Sequence, residues 1–304
     1  MAKGFSYYTL AIAAFLTAAL FTSYSGGFQD VASKSADGRG IPQIIKPVDL
    51  NRNFHFAGEK LPMDNFDVRE RMDRELLVNT YWHSSTLLSI KSSAKYFPVI
   101  EKILAEHGIP DDFKYLAVAE SGLRNETSPA GAKGFWQFMK GSAEEHGLEV
   151  NSEVDERYHL EKSTVAACKL LLQYKKRFGT WTLAAAAYNV GVGNLGRLLD
   201  EQRAETFYDL NLNAETSRYI FRLVAIKEIM SRPHDFGFYI DQSDYYQPLP
   251  DSKTIDVSSS IANWGDFARE HGTTYRMLKI YNPWLIDDQL TNKSGRTYEI
   301  KVPK

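Results

Sequence analysis

Glu120 has the sequence setting that a general acid requires. Helical spacing places Phe113, Leu116 and Ala117 on the same face of a helix as Glu120. A carboxyl group on such an apolar face is partly stripped of water, and desolvation disfavours its ionised form, so its pKa should rise. A carboxyl pKa raised toward neutral pH suits proton donation. The structural alternative is that Glu120 emerges at the helix end and pairs with Arg124 or with a backbone donor.

The residues that follow Glu120 favour the catalytic interpretation. Gly122, Gly131 and Gly134 occupy the next stretch, and Phe-Trp-Gln-Phe fills positions 135–138. Glycine permits backbone conformations and close approaches that other residues forbid. Such a passage can fold against a ligand and bring an amide side chain up to it. We therefore expect a binding surface beside Glu120.

Three short motifs in this region resemble the signature of one enzyme family. They are Glu-Ser at 120–121, Ser-Pro-Ala-Gly-Ala at 128–132 followed by Gly-Phe-Trp-Gln at 134–137, and Ala-Tyr-Asn at 187–189. The pattern resembles the family 1 lytic transglycosylases, over roughly residues 81–230. The resemblance implies a mainly α fold, with a lysozyme-like helical domain that cleaves peptidoglycan.

The resemblance also implies a role for individual residues. Glu120 is the implied catalytic residue. The implied substrate-binding residues are Ser121, Ser128, Gly134, Gln137, Tyr188, Asn189, Glu215 and Tyr219. Among them, the Tyr188 hydroxyl is expected to bond and orient the Glu120 carboxyl, and Tyr219 is expected to pack near it. Two structural alternatives stay open: the Gln137 amide satisfies a loop backbone, and the segment around Glu215 only caps its helix.

Glu120 has no second carboxylate in a similar setting within the motif-bearing segment. Glu126, Glu144 and Glu145 fall in polar stretches, whereas most glycosidases use two carboxyl groups. The resemblance implies that the substrate's own N-acetyl oxygen and C6 hydroxyl complete the reaction, with Glu120 acting first as acid and then as base. Cleavage of the MurNAc–GlcNAc β-1,4 bond would then leave 1,6-anhydroMurNAc ends and consume no water. No cofactor or metal is expected, because the histidines are scattered and His-Glu-x-x-His is absent.

Two other functions fit the same residues. A hydrolytic muramidase of the lysozyme type would share the helical domain and the single glutamate, but would deliver water to the anomeric carbon. A non-catalytic peptidoglycan-binding protein would keep the fold without turnover. The intact Glu120, Gln137, Tyr188 and Asn189 argue against the second of these functions.

The chain is predicted to have five segments. Residues 1–25 form a signal peptide or membrane anchor, 26–63 a linker, 64–232 the lysozyme-like helical domain, 233–252 a second linker and 253–304 a small module. Within the first linker, the passage at 54–58 is a candidate for docking on the helical domain. Lys3 precedes a short apolar run at 7–21, which predicts export to the periplasm. An uncleaved membrane anchor through residues 7–21 is the alternative. Three helices are predicted between the first linker and Glu120, at 64–80, 81–96 and 98–106.

The last segment is predicted to be a small α+β module. Its pattern indicates a strand at 254–257, helices at 264–270 and 275–281, and a returning strand at 297–302. This βααβ order resembles a LysM module, whose family binds N-acetylglucosamine chains. Trp264 and Trp284 either stack on sugars or, in so small a unit, belong to the core.

Composition narrows the classes of partner. The net charge is −2 with acidic and basic residues interspersed, which gives no electrostatic footprint for nucleic acid. Cys168 is the only cysteine, so an internal disulfide is excluded. Peptidoglycan glycan strands are the expected partner, and we expect a monomer. The run Asp155-Glu156-Arg157 either lines the cleft or forms an internal salt-bridge cluster, and its mixed signs favour the cluster.

Overall fold

The computed structural model describes residues 45–293 and 295–304, and over these ranges the fold is mainly helical, as predicted. The predicted signal peptide or anchor at 1–25, and the first linker up to residue 44, lie outside the described residues. Among the residues that are described, no helix has the length and apolar character needed to cross a membrane.

Eight helices and two strands form the part of the chain before the C-terminal module, within the described ranges. The strands are β1 (His55–Phe56) and β2 (Glu59–Lys60). The helices are α1 (Phe66–Tyr81), α2 (His83–Glu106), α3 (Lys114–Ser121), α4 (Lys140–Glu145), α5 (Leu160–Phe178), α6 (Trp181–Val190), α7 (Val192–Gln202) and α8 (Ala214–Ser231). The two predicted helices at 81–96 and 98–106 are therefore one helix, with Pro98 inside it.

Part of the predicted first linker is packed structure. Antiparallel β1 and β2 form a hairpin whose turn residues, Ala57 and Gly58, both have positive φ, as a two-residue hairpin turn requires. Phe54 and Phe56 are fully buried in the main core. Glu59 accepts hydrogen bonds from the backbone N–H groups of Trp181 and Thr182, at 2.7 and 2.8 Å, at the start of α6. A carboxylate at a helix N-terminus is favoured there, so the hairpin is fixed to the helical domain.

The short helix α3 carries Glu120 through the centre of the helical core. Phe113, Leu116 and Ala117, the residues that helical spacing placed beside Glu120, are all fully buried. Helix α3 ends at Gly122, whose φ of 61° is left-handed and whose N–H bonds the carbonyl of Val118. The chain therefore turns away directly after Glu120 and leaves its carboxyl group facing a cleft.

The C-terminal module has the predicted βααβ order. Its elements are β3 (Ser252–Val257), α9 (Trp264–Glu270), α10 (Tyr275–Tyr281) and β4 (Tyr298–Pro303). Strands β3 and β4 pair antiparallel, with Ile255 opposite Ile300. Trp264 and Trp284 are both buried in the core of the module, so neither indole offers a free face for stacking on a sugar.

One loop of the helical domain makes main-chain contacts with the module. Val154 of the helical domain is fully buried within the module's own hydrophobic core and forms a β-bridge with Leu285. On either side of this bridge, the N–H of Asp155 bonds the carbonyl of Trp284 and the N–H of Ile286 bonds the carbonyl of Glu153, each at 2.9 Å. Because main-chain bonds and a shared core join them, residues 48–304 form one unit.

Candidate active site

Glu120 opens into a cleft of about 430 Å³ between α1, the start of α2, α3 and α8. The cleft lining includes Glu75, Trp82, Arg124, Arg218 and Arg222. Both charged and apolar side chains therefore face the same space. A concave site in which polar and charged groups surround a desolvated carboxyl is a candidate for binding and processing a ligand.

The Glu120 carboxyl is held by one hydroxyl in otherwise desolvating surroundings. Tyr219 of α8 donates a hydrogen bond of 2.5 Å to Glu120 Oε1. Burial raises the pKa of Glu120, and the repulsion of Glu215 acts in the same direction. The Tyr219 hydrogen bond and the positive charge of Arg222 oppose this rise without cancelling it. The shift is in the direction that a general acid needs.

An ion-pair network lies beside Glu120. Arg222 Nη1 lies 2.8 Å from Glu215 Oε1, and Arg222 Nε lies 3.6 Å from Glu75 Oε2. Arg74 also pairs with Glu75, which is buried, and Arg218 pairs with Glu215 at 3.1 Å. Hydrogen bonding to Arg222 holds the pKa of Glu215 below its ordinary value. Glu75 and Glu215 thus each lie against two guanidinium groups.

The predicted role of Tyr188 in orienting Glu120 is wrong. The Tyr188 hydroxyl donates a 2.6 Å hydrogen bond to the carbonyl oxygen of Trp136, and the donor to Glu120 is Tyr219. Burial raises the pKa of Tyr188 well above its ordinary value, and the charge of the nearby Glu120 raises it further. The expectation that Tyr219 packs near Glu120 is confirmed.

Ser121 and Gly134 have structural roles that the motif alone did not reveal. The Ser121 hydroxyl is buried and lies within hydrogen-bond distance of the carbonyls of Ala117 and Phe135, at 2.9 and 3.0 Å, so it ties α3 to the loop that follows. A Cβ added to Gly134 would lie 1.9 Å from the carbonyl oxygen of Arg157. Only glycine fits at this contact, and its φ of +80° is also left-handed.

Gln137 and Ser128 bond to the backbone of their own loop. The Gln137 amide donates to the carbonyls of Gly134 and Glu126, at 2.8 and 3.2 Å, which is the structural alternative set out above. The Ser128 hydroxyl oxygen accepts from the N–H of Ala132 at 3.0 Å and so closes a turn. Neither residue lines the Glu120 cleft, and binding of substrate by either remains a prediction.

Asn189 and Glu215 also remain predicted binding residues. Asn189 is half-buried in the last turn of α6, and within the described ranges its side chain makes no hydrogen bond to protein. The Glu215 side chain is 55% exposed and holds Arg222. It therefore acts on the cleft through the guanidinium group.

The loop at 155–157 is an internal salt-bridge cluster, as its mixed signs indicated. Arg157 donates to both carboxylate oxygens of Asp155, at 2.8 and 2.7 Å, and to the carbonyls of Gly131 and Phe138, each at 3.2 Å. Glu156 pairs with Lys162. All three residues of the cluster are buried, so the cluster fixes the glycine-rich loop against the rest of the domain.

The sequence analysis missed three residues of the cleft. Glu75 and Arg222 lie on α1 and α8, outside the motifs, and only the fold brings them to Glu120. Trp82, between α1 and α2, lines the cleft and is 63% exposed. No motif marks Trp82, and its exposure is visible only in the structure.

Family models match two parts of the chain. Residues 97–211 match the transglycosylase SLT domain, and residues 253–304 match the soluble lytic transglycosylase C-terminal LysM-like domain. The part of the chain that holds Glu120 is thus similar to a transglycosylase SLT domain. The range matched by the SLT domain includes Glu120, Gln137, Tyr188 and Asn189, whereas α8, which supplies Tyr219, follows it.

Curated relatives and solved structures carry related names. The chain is 28% identical over 298 residues to membrane-bound lytic murein transglycosylase D of Escherichia coli strain K12, covering 94% of this chain and 60% of that protein. The chain thus spans about three fifths of the length of this relative. The 70 kDa soluble lytic transglycosylase Slt70 of Escherichia coli is similar with a TM-score of 0.39 at 20% identity, over 51% of this chain and 27% of that one. An inactive mutant of the lytic transglycosylase Slt from Pseudomonas aeruginosa has a TM-score of 0.38 at 18% identity, over 50% of this chain and 26% of that one.

Proposed function

We propose that this protein is a peptidoglycan lytic transglycosylase that cleaves the MurNAc–GlcNAc β-1,4 bond and leaves 1,6-anhydroMurNAc ends. The observation that carries the proposal is the Glu120 carboxyl in its cleft, with a raised pKa and a single short hydrogen bond from Tyr219. The SLT domain around it and the LysM-like module support peptidoglycan as the substrate.

Glu120 donates a proton in the first step of this mechanism and accepts one in the second. It first protonates the glycosidic oxygen, and the C1–O4 bond breaks while the N-acetyl oxygen of the same sugar shields the anomeric carbon. The C6 hydroxyl then attacks that carbon and returns its proton to Glu120, so a C1–O6 bond replaces the bond that broke. The Tyr219 hydroxyl supports the first step, because a hydrogen bond to the carboxylate stabilises the ionised state that this step produces.

The charges of the cleft argue against hydrolysis by a pair of carboxylates. A hydrolase of the two-carboxylate type needs a second, free carboxylate to activate water or to attack the sugar. Glu75 is the buried carboxylate of the cleft lining within the described residues, and it is neutralised by Arg74 and Arg222. Glu126 pairs with Arg124 at 3.4 Å and is mostly exposed. Neither carboxylate has the free, desolvated state of a base.

We also propose that the protein acts on glycan strands in the cell envelope. The likeness to a relative named membrane-bound supports an envelope association, and the basic start and apolar run of the chain support export to the periplasm. Peptidoglycan strands are the proposed partner.

Mass spectrometry of the fragments released from purified sacculi tests the function. We expect anhydro fragments, each lighter by one water than a hydrolysed fragment, and their formation should be lost in Glu120→Gln. The matched control is Glu126→Gln, an exposed glutamate on the same cleft, which should retain most turnover. Fragments with reducing ends would instead establish a hydrolase. Full activity of Glu120→Gln would show that the acid is another residue.

A further inference from the structure

We propose that Glu75 is a positioning residue for the proposed reaction, and that it holds the Arg222 guanidinium group beside the Glu120 carboxyl while keeping the two from forming an ion pair. This inference rests on the proposed function. Glu75 lies on α1, before the motifs at 120–189. In this proposal it acts on Glu120 only through Arg222.

Glu75 is a buried carboxylate in the wall of the Glu120 cleft. Its side chain is 2% exposed. Burial of a carboxylate is unfavourable unless cations and hydrogen bonds replace the lost water. Glu75 Oε1 is paired with Arg74, and Glu75 Oε2 lies 3.6 Å from Arg222 Nε. Arg74 therefore supplies one counter-charge, and the second carboxylate oxygen faces Arg222.

Arg222 is held at two edges of its guanidinium group. Its Nε edge faces Glu75, and its Nη1 atom donates a hydrogen bond of 2.8 Å to Glu215 Oε1. The guanidinium group is planar and its donors point in fixed directions, so two carboxylates at different edges fix its position. Among the described residues, Arg222 forms ion pairs with these two carboxylates and none with Glu120.

The separation between Arg222 and Glu120 matters for the proton that Glu120 donates. A cation in direct contact with a carboxyl group strongly favours its ionised form, and such a carboxyl group is a poor acid. Burial raises the pKa of Glu120, and the charge of Arg222 opposes this rise without cancelling it. Arg222 in its present position therefore lets Glu120 carry a proton and still stabilises the carboxylate that the first step produces.

The charged and titratable groups around Glu120 show what Glu75 contributes. They are Glu75 and Arg74 of α1, Glu215, Arg218, Tyr219 and Arg222 of α8, Tyr188 of α6, and Arg124 and Glu126 after α3. Arg124 and Glu126 form a pair of their own at 3.4 Å. The other three guanidinium groups share the carboxylates of Glu75 and Glu215. Loss of the Glu75 charge would leave these three cations with one carboxylate, so ionisation of Glu120 would become more favourable.

Titration of the Glu120 carboxyl in the full-length protein tests the proposal. The readouts are NMR of the labelled side-chain carboxyl carbon, identified by its absence in Glu120→Gln, and the pH–rate profile of fragment release from sacculi. Glu75→Gln keeps the shape of the side chain and removes its charge. We expect the titration midpoint of Glu120 and the alkaline limb of the profile to move to lower pH, through a change of about tenfold in the ionisation equilibrium.

Glu126→Gln is the matched control. It removes the same charge from a mostly exposed glutamate–arginine pair of the same cleft, where solvent screens the charge. The titration midpoint of Glu120 should therefore stay where it is in the unaltered protein.

Two variants of Arg222 separate a positioning role from a structural one. Adding Arg222→Gln to Glu75→Gln removes the cation together with its partner, so the midpoint should return to that of the unaltered protein or rise above it. Arg222→Gln alone leaves Glu75 in place and should raise the midpoint. A purely structural role of Glu75 would produce no such recovery.

Three results would overturn the proposal. They are an unchanged midpoint in Glu75→Gln, a lowered midpoint that the added Arg222→Gln does not restore, and an unchanged midpoint in Arg222→Gln alone. The NMR titration requires no turnover. The expected midpoints in a protein that releases no anhydro fragments would thus support the role of Glu75 while rejecting the proposed function.

Discussion

Replacing Tyr219 by phenylalanine isolates the hydrogen bond that controls the Glu120 proton most directly. The bond spans 2.5 Å from the Tyr219 hydroxyl to Glu120 Oε1. A hydrogen bond to a charged group contributes about 1.5–3 kcal/mol, which corresponds to a factor of roughly 10 to 150 in the ionisation equilibrium of Glu120. Without this donor the carboxylate is less favoured, so the pKa of Glu120 rises further above its ordinary value. Since the first step needs protonated Glu120, the alkaline limb of the pH–rate profile should move to higher pH.

The assay is release of soluble fragments from sacculi across the pH range, together with urea unfolding at the same pH values. The raised pKa means that Glu120 stabilises the fold at low pH, where it is neutral, and that this contribution is lost as pH rises and the carboxylate forms. The Tyr219 bond reduces that loss. Tyr219→Phe should therefore destabilise the fold most at alkaline pH and least at acidic pH.

Tyr188→Phe is the matched control. It removes the hydroxyl that donates to the Trp136 carbonyl at 2.6 Å, and a buried carbonyl left without a partner costs about 1–3 kcal/mol. This loss does not depend on the ionisation of Glu120, so it should be similar at every pH. An unchanged pH–rate profile in Tyr219→Phe, or the same displacement in Tyr188→Phe, would refute the reasoning.

Two further substitutions test the packing around the site and the docking of the module. Gly134→Ala places a Cβ against the Arg157 carbonyl at a left-handed φ and should lower the free energy of unfolding by about 3 kcal/mol or more. The control is Gly141→Ala in α4, where the added Cβ meets no atom within 4 Å and the change should be neutral or stabilising. Urea unfolding measures both variants, and equal effects would contradict the contact. Trp284→Ala removes a buried indole that stacks on His159 at 5.7 Å and should cost about 3–5 kcal/mol while exposing Val154. Thermal unfolding should then show a lower transition temperature for the helical domain as well. The control is Ile286→Ala at an exposed position, which should change the transition temperature only slightly. A transition of the helical domain unchanged by Trp284→Ala would show that the two parts unfold independently.

The apolar environment of Glu120 was predictable because it depends on residues of the same helical face, within two turns before Glu120. Three apolar residues at helical spacing before Glu120 are all buried, and burial is the first cause of its raised pKa. Which tyrosine donates to the carboxyl was not predictable in the same way. Tyr188 and Tyr219 lie on different helices, and the choice between them depends on how α6 and α8 pack against α3.

Two errors in the fold have local physical reasons. Pro98 suggested a helix boundary, since proline lacks a backbone N–H, but its ring lies on the exposed side of α2 and the helix continues through it. Residues 54–61 gave no sustained period, and the hairpin is only two residues wide on each strand. Its burial comes from tertiary contacts of Phe54 and Phe56 with the main core, which a window of sequence does not contain.

The docking of the module was beyond sequence reasoning for a similar cause. The strand and helix order of residues 253–304 was correct because each element has its own local pattern. The β-bridge between Val154 and Leu285 joins two loops with no strand pattern of their own. Only the assembled fold shows that Trp264 and Trp284 are both used for packing.

The insertion of Val154 among the buried side chains of the module also sets an order of assembly. Val154 leaves the ribosome well before β3, α9, α10 and β4, and amino-terminal domains generally fold first during synthesis. Contacts between positions so far apart in the chain form slowly from an unstructured state, because a long loop must close first. The C-terminal module is therefore expected to fold last, against helices that have already formed.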